Sequence, residues 1–490
     1  MSKNAKMTLV HVTIALVFML AFPRIGLTLP NVTPVGMEVL AIFLGTLYLW
    51  TTIDPLTSSL IAIIMLALSS YDTASNVLAT CFGNPTVVQM FFLMIFMGGL
   101  TNRGITIYIA RWIMTRKFIE GKPWVFTTVM MLGTFLMSVF IGAFAPIFLF
   151  WPVLYGVFDD VGFKKTDKYP KIMIMGIVIA ALIGFPVPPY MGNGLALLGN
   201  YRGLLQNFPA LQGLPGITIS DASYFIACFV SGLLLIFASV LVMKYVFKPD
   251  VTPMKNMTIE MLEKNPLPPM SNSQKFYGIF LCLFVFIMLV PSLLPDLPVL
   301  SFLNTNSIAM VMVLVAIVSL VQFDDGPVLR FGQVMGKDFA WPTFFLCTSA
   351  ILLGSVLTSE KTGITPFLNT VLTPIFSGMS GFMFTVFLML IATLLTNISN
   401  SLVIGMILQP VALTYCATAG VHPAPIITLL SFTVLLTAAC TPAASPFAAM
   451  MFGNKEWLTS GDVYRYSIVF VLVEFVLILV VCIPFVNLLF

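Results

Sequence analysis

Of 490 residues, 59% are hydrophobic and only 9% charged, whereas a soluble domain carries about 25% charged residues. With a mean hydropathy of +1.03, the chain is not a water-soluble enzyme or binding module and reads as an all-α polytopic membrane protein. The net charge of +4 singles out no partner class, and no nucleic-acid partner is expected; where the charges fall says more.

In chain order, the first expected span is 8–23, inside an N-terminal segment 1–30. Its basic start is weak, and Pro23 and Arg24 follow without a small-residue cleavage site, so it reads as a membrane helix and not as a removed signal. A first unit, 31–247, holds expected spans 38–51, 56–69, 85–101, 172–199 and 220–246. Residues 248–275, with their Pro, Asn and Glu content, form a cytoplasmic linker. A second unit, 276–490, holds spans 276–294, 306–322, 341–358, 425–451 and 466–490, which makes eleven in all. Two further apolar stretches, 124–158 and 382–416, have small or polar residues at their centres. Each is about 35 residues, too long for one span and short for two, and reads as a re-entrant hairpin. The seven cysteines show no paired spacing, so neither disulfides nor zinc are indicated.

With the N-terminus inside, 20 of the 23 Lys and Arg fall in inside segments, Lys264 among them, and only Arg24, Arg202 and Lys361 fall outside. That bias supports a multi-pass protein of the cell (inner) membrane with its N-terminus cytoplasmic and its C-terminus extracytoplasmic. Arg103, Arg111, Arg116 and Lys117 read as a lipid-facing basic helix at the membrane surface. Trp112, Trp124 and Trp457 read as interface anchors.

The halves echo each other. Asn84–Pro85–Thr86 pairs with Trp341–Pro342–Thr343, Arg103 with Thr362, Trp151 with Gln409 and Pro188 with Pro446, at offsets of 257, 259, 258 and 258. Matches at near-constant spacing indicate a duplication. Because each unit has five spans, the two copies have opposite orientation, the pattern of transporters whose site lies where interrupted helices meet at mid-membrane. Each copy has two interruptions: 141–146 and 184–194 in the first, 397–401 and 441–453 in the second. Pro removes a backbone donor and frees a carbonyl one turn back. Broken helices then offer N-termini to anions and bare carbonyls to a hard cation. No Asp, Glu, Lys or Arg is expected in the middle of a span, and His11 and His422 lie far from the interruptions, so a proton relay or metal centre is not indicated.

The stretches GMEVLAIFLGTLYLW (36–50), FMGGLTNRGITIYIARW (96–112), SNS (399–401) and TPAASPFAAMMFG (441–453) resemble the divalent-anion/sodium symporters, the citrate and dicarboxylate carriers of the ion transporter superfamily. The resemblance runs over nearly the whole chain. It implies eleven spans, two hairpins and two broken helices, a homodimer in the bilayer, an elevator motion, and a substrate held between the hairpin tips. By the same resemblance, Ser399, Asn400, Thr441, Ala444 and Ser445 are expected to hold Na⁺, the coupling ion, with no other cofactor. Gly142, Ala143, Pro188, Pro189, Asn193, Ser399, Asn400, Ser401, Ser445 and Pro446 are expected to contact the anion.

The family's Ser-Asn-Thr tip is Ser399, Asn400 and Ser401 here, and Phe447 and Ala448 replace its second Pro and its Asn. In the first copy the tip reads Ile141, Gly142 and Ala143, so a first sodium site and a second carboxylate contact lack their usual side chains. Helix–helix hydrogen bonding by Asn and Ser is the plainer reading of 397–401; a Pro kink is that of 441–446, and tight packing that of 142–146. The expected function is secondary transport of small organic anions, di- or tricarboxylates, coupled to Na⁺. A sodium-independent exchanger and a cation/proton or oxyanion antiporter of the same superfamily remain open. An enzyme is not expected, for want of an acid/base pair, a metal cluster or a partnered nucleophile.

Overall fold

Several helices begin where a short polar residue precedes proline. Thr33, Asp54, Asn84 and Ser445 each accept a hydrogen bond from a backbone amide two or three residues on, and Pro34, Pro55, Pro85 and Pro446 follow them. The cap satisfies an otherwise orphaned N–H, and proline at the first helical position needs no donor. Built in this way, the computed structural model describes residues 3–490 except 215, 263–266, 295 and 377; the expected inside charge Lys264 lies outside the described residues.

The N-terminal half contains α1 (Lys3–Ala21), α2 (Pro34–Thr52), α3 (Pro55–Ala67), α4 (Ala74–Phe82), α5 (Pro85–Asn102) and α6 (Ile105–Met114). Then come α7 (Pro123–Phe140), α8 (Phe144–Asp160), α9 (Lys168–Gly184), α10 (Gly192–Leu204) and α11 (Asp221–Leu241), extended by a π-helical 242–247. The C-terminal half follows a four-residue α12 (Ile259–Leu262) with α13 (Asn272–Leu293), α14 (Pro298–Thr305) and α15 (Ser307–Leu320). A small hairpin of β1 (Gln322–Phe323) and β2 (Gly326–Pro327) leads to α16 (Phe331–Gln333), α17 (Trp341–Leu357) and α18 (Ile364–Phe376). The chain ends with α19 (Gly381–Thr396), α20 (Ser401–Ala419), α21 (Pro423–Leu436), α22 (Pro446–Gly453), α23 (Ser460–Leu477) and α24 (Ile483–Leu489).

Among the described residues, eight helices are long and apolar enough to cross a membrane, or ten if two bent pairs each count as one. Against the eleven expected spans, 56–69 is the 13-residue α3 and 172–199 and 425–451 are each divided, whereas α7 and α20, in the stretches expected as re-entrant hairpins 124–158 and 382–416, are among the eight. Of the divided spans, the first is α9 and α10 separated by 185–191, and the second is α21 and α22 separated by 437–445.

In each half, a pair of helices packs on the first segment of a divided one: α7 and α8 on α9, α19 and α20 on α21. Tyr169 to Gly184 of α9 are buried except Lys171, and every residue of α21 is buried, which fits helices apolar all round. Gly184 permits the first approach, because a Cβ there would lie 2.7 Å from Ser138 Cβ and 2.8 Å from the Phe135 carbonyl oxygen. The halves are joined in the core by Asn200 of α10, whose amide donates to Gln409 Oε1 of α20 at 2.7 Å.

Three expectations from the sequence fail here. Arg103 does not face lipid: it is 7% exposed, pairs with Asp325 at 3.1 Å and donates to the carbonyls of Val328 and Pro327. It thereby ties the end of α5 to the β1–β2 turn, and Arg116, stacked on Trp112, keeps the surface role. Trp457 is buried against Tyr155 and Phe158 and is no interface anchor. Finally, a charge-bearing residue does sit well inside an expected span. Glu474 of α23 is 1% exposed.

Candidate functional site

The two interruptions of the C-terminal half are bound into one unit by Asn397, at the end of α19. Its Nδ2 donates to the carbonyls of Thr393 and Thr437 at 2.8 and 2.9 Å, and its Oδ1 accepts from the Cys440 amide at 2.8 Å. Thr441 Oγ1 donates to the Asn397 carbonyl at 2.6 Å, and the Ser401 amide donates to the Ala444 carbonyl at 3.2 Å. The α19–α20 tip and the α21–α22 break therefore satisfy each other's backbone groups, which an apolar interior requires. Asn400 Oδ1 caps α20 by accepting from the Leu402 and Val403 amides. Ser445 Oγ caps α22 through the Ala448 amide and donates to the Ala438 carbonyl at 2.6 Å.

Beside this unit lies a cavity of about 270 Å³. Asn400, Ser401, Ser445 and Pro446 form one wall, Gly192 and Asn193 another, and Pro55, Pro342 and Thr343 a third, with Phe144, Phe185 and Phe447 beside them. Six helices begin at these walls: α3 at Pro55, α8 at Phe144, α10 at Gly192, α17 at Trp341, α20 at Ser401 and α22 at Pro446. A helix start carries roughly half a positive charge, offset at α3 by the Asp54 carboxylate that caps it, and the first amides of α20 and the Ala448 amide of α22 are already paired with Ala444, Asn400 and Ser445. Among the described residues, no charged side chain lines the cavity. The Asn193 Oδ1 is buried without a hydrogen-bond partner among the described residues, so a ligand or water there would meet a free acceptor.

Gly142, Ala143 and Pro188 line a second, apolar cavity of about 160 Å³ with Met90, Met94 and Met97. Phe144 and Phe185 border both cavities. Phe447 stacks on Phe144 at 4.4 Å between ring centres and meets Phe185 edge-on at 5.0 Å. Three rings thus stand where the two halves' interruptions approach each other. Gly142 takes φ +136° with open space around its Cβ position; the tip needs its conformational freedom, not its small size.

The expected site residues thus divide. Asn193, Asn400, Ser401, Ser445 and Pro446 meet at the larger cavity; Gly142, Ala143 and Pro188 meet at the smaller one; Pro189 lines neither. Thr441 and Ala444 belong to the tip-and-break junction, not the cavity wall, and Ser399 sits in the tip itself. Sequence reasoning missed Asn397 as the organiser, the aromatic trio, and the contribution of α3 and α17. The Asp54–Pro55 and Trp341–Pro342 starts were the available signal for the last.

A family model described as the sodium:sulfate symporter transmembrane region matches residues 3–490. The crystal structure of the Alcanivorax borkumensis YdaH transporter is similar, with a TM-score of 0.59, 13% sequence identity, and coverage of 86% of this chain and 90% of that one. At that identity the likeness speaks to the fold. No curated protein sequence matches.

Proposed function

Because this chain belongs to the sodium:sulfate symporter family, and so is a transporter and not an enzyme, we propose that it is a secondary active carrier of small organic anions, di- or tricarboxylates, driven by Na⁺. The observation that carries this reading is the start of six helices at one cavity that, among the described residues, no charged side chain lines. Converging N-termini attract negative charge without a fixed cation. Sodium would be held at the tip-and-break junction by Ser399, Asn400, Thr441, Ala444 and Ser445, adding positive charge next to the anion. A weakly bound site of dipoles and one ion suits a carrier, which must release what it binds.

In this reading 31–247 and 276–490 are inverted repeats with re-entrant hairpins at 124–158 and 382–416. The hairpins and divided helices move together as an elevator against the remaining helices, in a homodimer. The N-terminus is cytoplasmic and the C-terminus extracytoplasmic in the inner membrane, as the placement of Lys and Arg supports.

The test is uptake of labelled succinate, citrate, sulfate and a monocarboxylate into proteoliposomes, with and without an inward sodium gradient. Sodium-stimulated uptake of a di- or tricarboxylate is expected, and sulfate alone would move the reading to the oxyanion that the family's description names. Asn400→Ala removes the cap and the polar wall together and should lower uptake at least about tenfold, the loss of one charge-assisted hydrogen bond. Uptake unchanged in Asn400→Ala refutes the assigned site.

A further inference from the structure

One buried acid has no part in the anion site. On α23 the exposed residues Tyr464, Ile468, Leu472 and Val476 recur every fourth position and face outward. Glu474 lies on the opposite, inner face with Ser467 and Phe470, 1% exposed, and neither carboxyl oxygen has a hydrogen-bond partner among the described residues. An ionised carboxylate without a partner is not tolerated in such surroundings, so the group is a neutral acid as it stands and ionises only when a cation or water reaches it.

Its position gives that ionisation a consequence. Helix α23 packs on α19 and α22, the helices that end and begin at the tip-and-break junction, where the Cys440 amide is the donor that holds Asn397 Oδ1. The acid therefore lies on the packed face of the helix that adjoins the junction. Helices α19 and α22, which pack on α23, carry no titratable group. Helix α9 brings Lys168, Tyr169 and Lys171, but Lys171 pairs at 2.8 Å with Asp462, about three turns from Glu474. Helix α11 brings Asp221, paired with Arg202, and the buried Tyr224 and Cys228; the segment 242–247 brings Lys244 and Tyr245. Along its own chain, Arg465 and Tyr466 lie near the start of α23, and Cys482 lies beyond its end.

We propose that Glu474 is a proton-binding site whose ionisation governs cation binding at the junction, so that protons and Na⁺ compete there. The step is COOH ⇌ COO⁻ + H⁺: the proton leaves to water as Na⁺ enters the junction, and the new negative charge holds the ion. This inference rests on the carrier reading for its role in transport, but the proton site can be tested without any anion.

The substrate-free test uses the purified protein. Dicyclohexylcarbodiimide attacks protonated carboxyl groups in apolar settings, and mass spectrometry should find it on Glu474, with labelling reduced by NaCl but not by choline chloride. Addition of Na⁺ in weak buffer should release protons from the wild type and none from Glu474→Gln. In proteoliposomes, the sodium concentration for half-maximal uptake should rise as pH falls, by up to about tenfold per pH unit for one proton displaced per ion. Glu474→Gln should show a weaker, pH-independent sodium response. No label on Glu474 in the folded wild type, or a Glu474→Gln variant with the wild-type pH response, overturns the proposal. Should Glu474→Gln fail to fold, labelling and proton release by the wild type and Glu474→Asp still decide it. Absence of carboxylate uptake with intact labelling and sodium-linked proton release would count against the carrier reading alone.

Discussion

Asn397 illustrates how one side chain can define a site it does not line. Its amide group and carbonyl make four hydrogen bonds to Thr393, Thr437, Cys440 and Thr441, and three of these residues are 40 to 44 positions away. Asparagine suits the place because it offers two donors and an acceptor without a charge. Leaving the Cys440 amide unpaired should cost about 1–3 kcal/mol, less to the extent that the half-buried site admits water. Asn397→Ala is therefore expected to lower the thermal unfolding temperature in detergent and to abolish sodium-stimulated uptake, whereas Ser399→Ala should leave the unfolding temperature nearly unchanged. Equal unfolding temperatures for Asn397→Ala and the wild type would count against its organising role.

Among the elements, the joint between α5 and the β1–β2 hairpin is the clearest polar clasp. Arg103 meets Asp325 and two carbonyls, Asp325 is also held by Ser271 and Ser273 at the start of α13, and Gln274 donates back to the Arg103 carbonyl at 2.8 Å. The Ser273 hydroxyl, opposed by partial burial and joined by Ser271 and Arg103, holds the Asp325 carboxyl below the usual carboxylate range. A depressed carboxylate contributes stability that is present above its unfolded value near pH 4 and is lost as pH falls through the folded value. Unfolding of the wild type should become easier below about pH 4, and Asp325→Asn should flatten that acid limb. Asp325→Ala leaves a buried guanidinium short of its counter-ion, which costs about 3–5 kcal/mol for a fully buried pair. With the Asp325 side chain 33% exposed, about 2 kcal/mol is the expected loss, read by denaturation at neutral pH.

For the molecule as a whole, the site is shared between its halves. Helices α8 and α10 from one half and α20 and α22 from the other start at one cavity, with Phe144, Phe185 and Phe447 between the interruptions. A ligand there touches both halves and stabilises the assembled state over the unfolded one. Sodium at about a hundred times its dissociation constant should add about 2.7 kcal/mol, seen as a rise in unfolding temperature with NaCl over choline chloride at equal ionic strength. The same shift for both salts would argue against a sodium site.

Hydropathy, proline placement and the repeated offsets are one-dimensional properties. They were enough to mark an all-helical membrane protein, spans beginning at 56 and 85 beside Pro55 and Pro85, both interruptions in each half, and the polar residues Asn193, Asn400, Ser401 and Ser445 that meet at the cavity. Burial and partnership depend on which face a helix turns inward and on residues far away in the chain. Arg103 reads as one more surface cation until Asp325, 222 positions on, closes over it. Glu474 is lost in a run of Ile, Val and Leu whose average hydropathy hides a single acid, and only the packing of α23 turns it inward. The division of the expected site into two cavities rests on three phenylalanines that meet only when the halves are assembled, because ring contacts are set by three-dimensional approach and leave no periodic trace in the sequence.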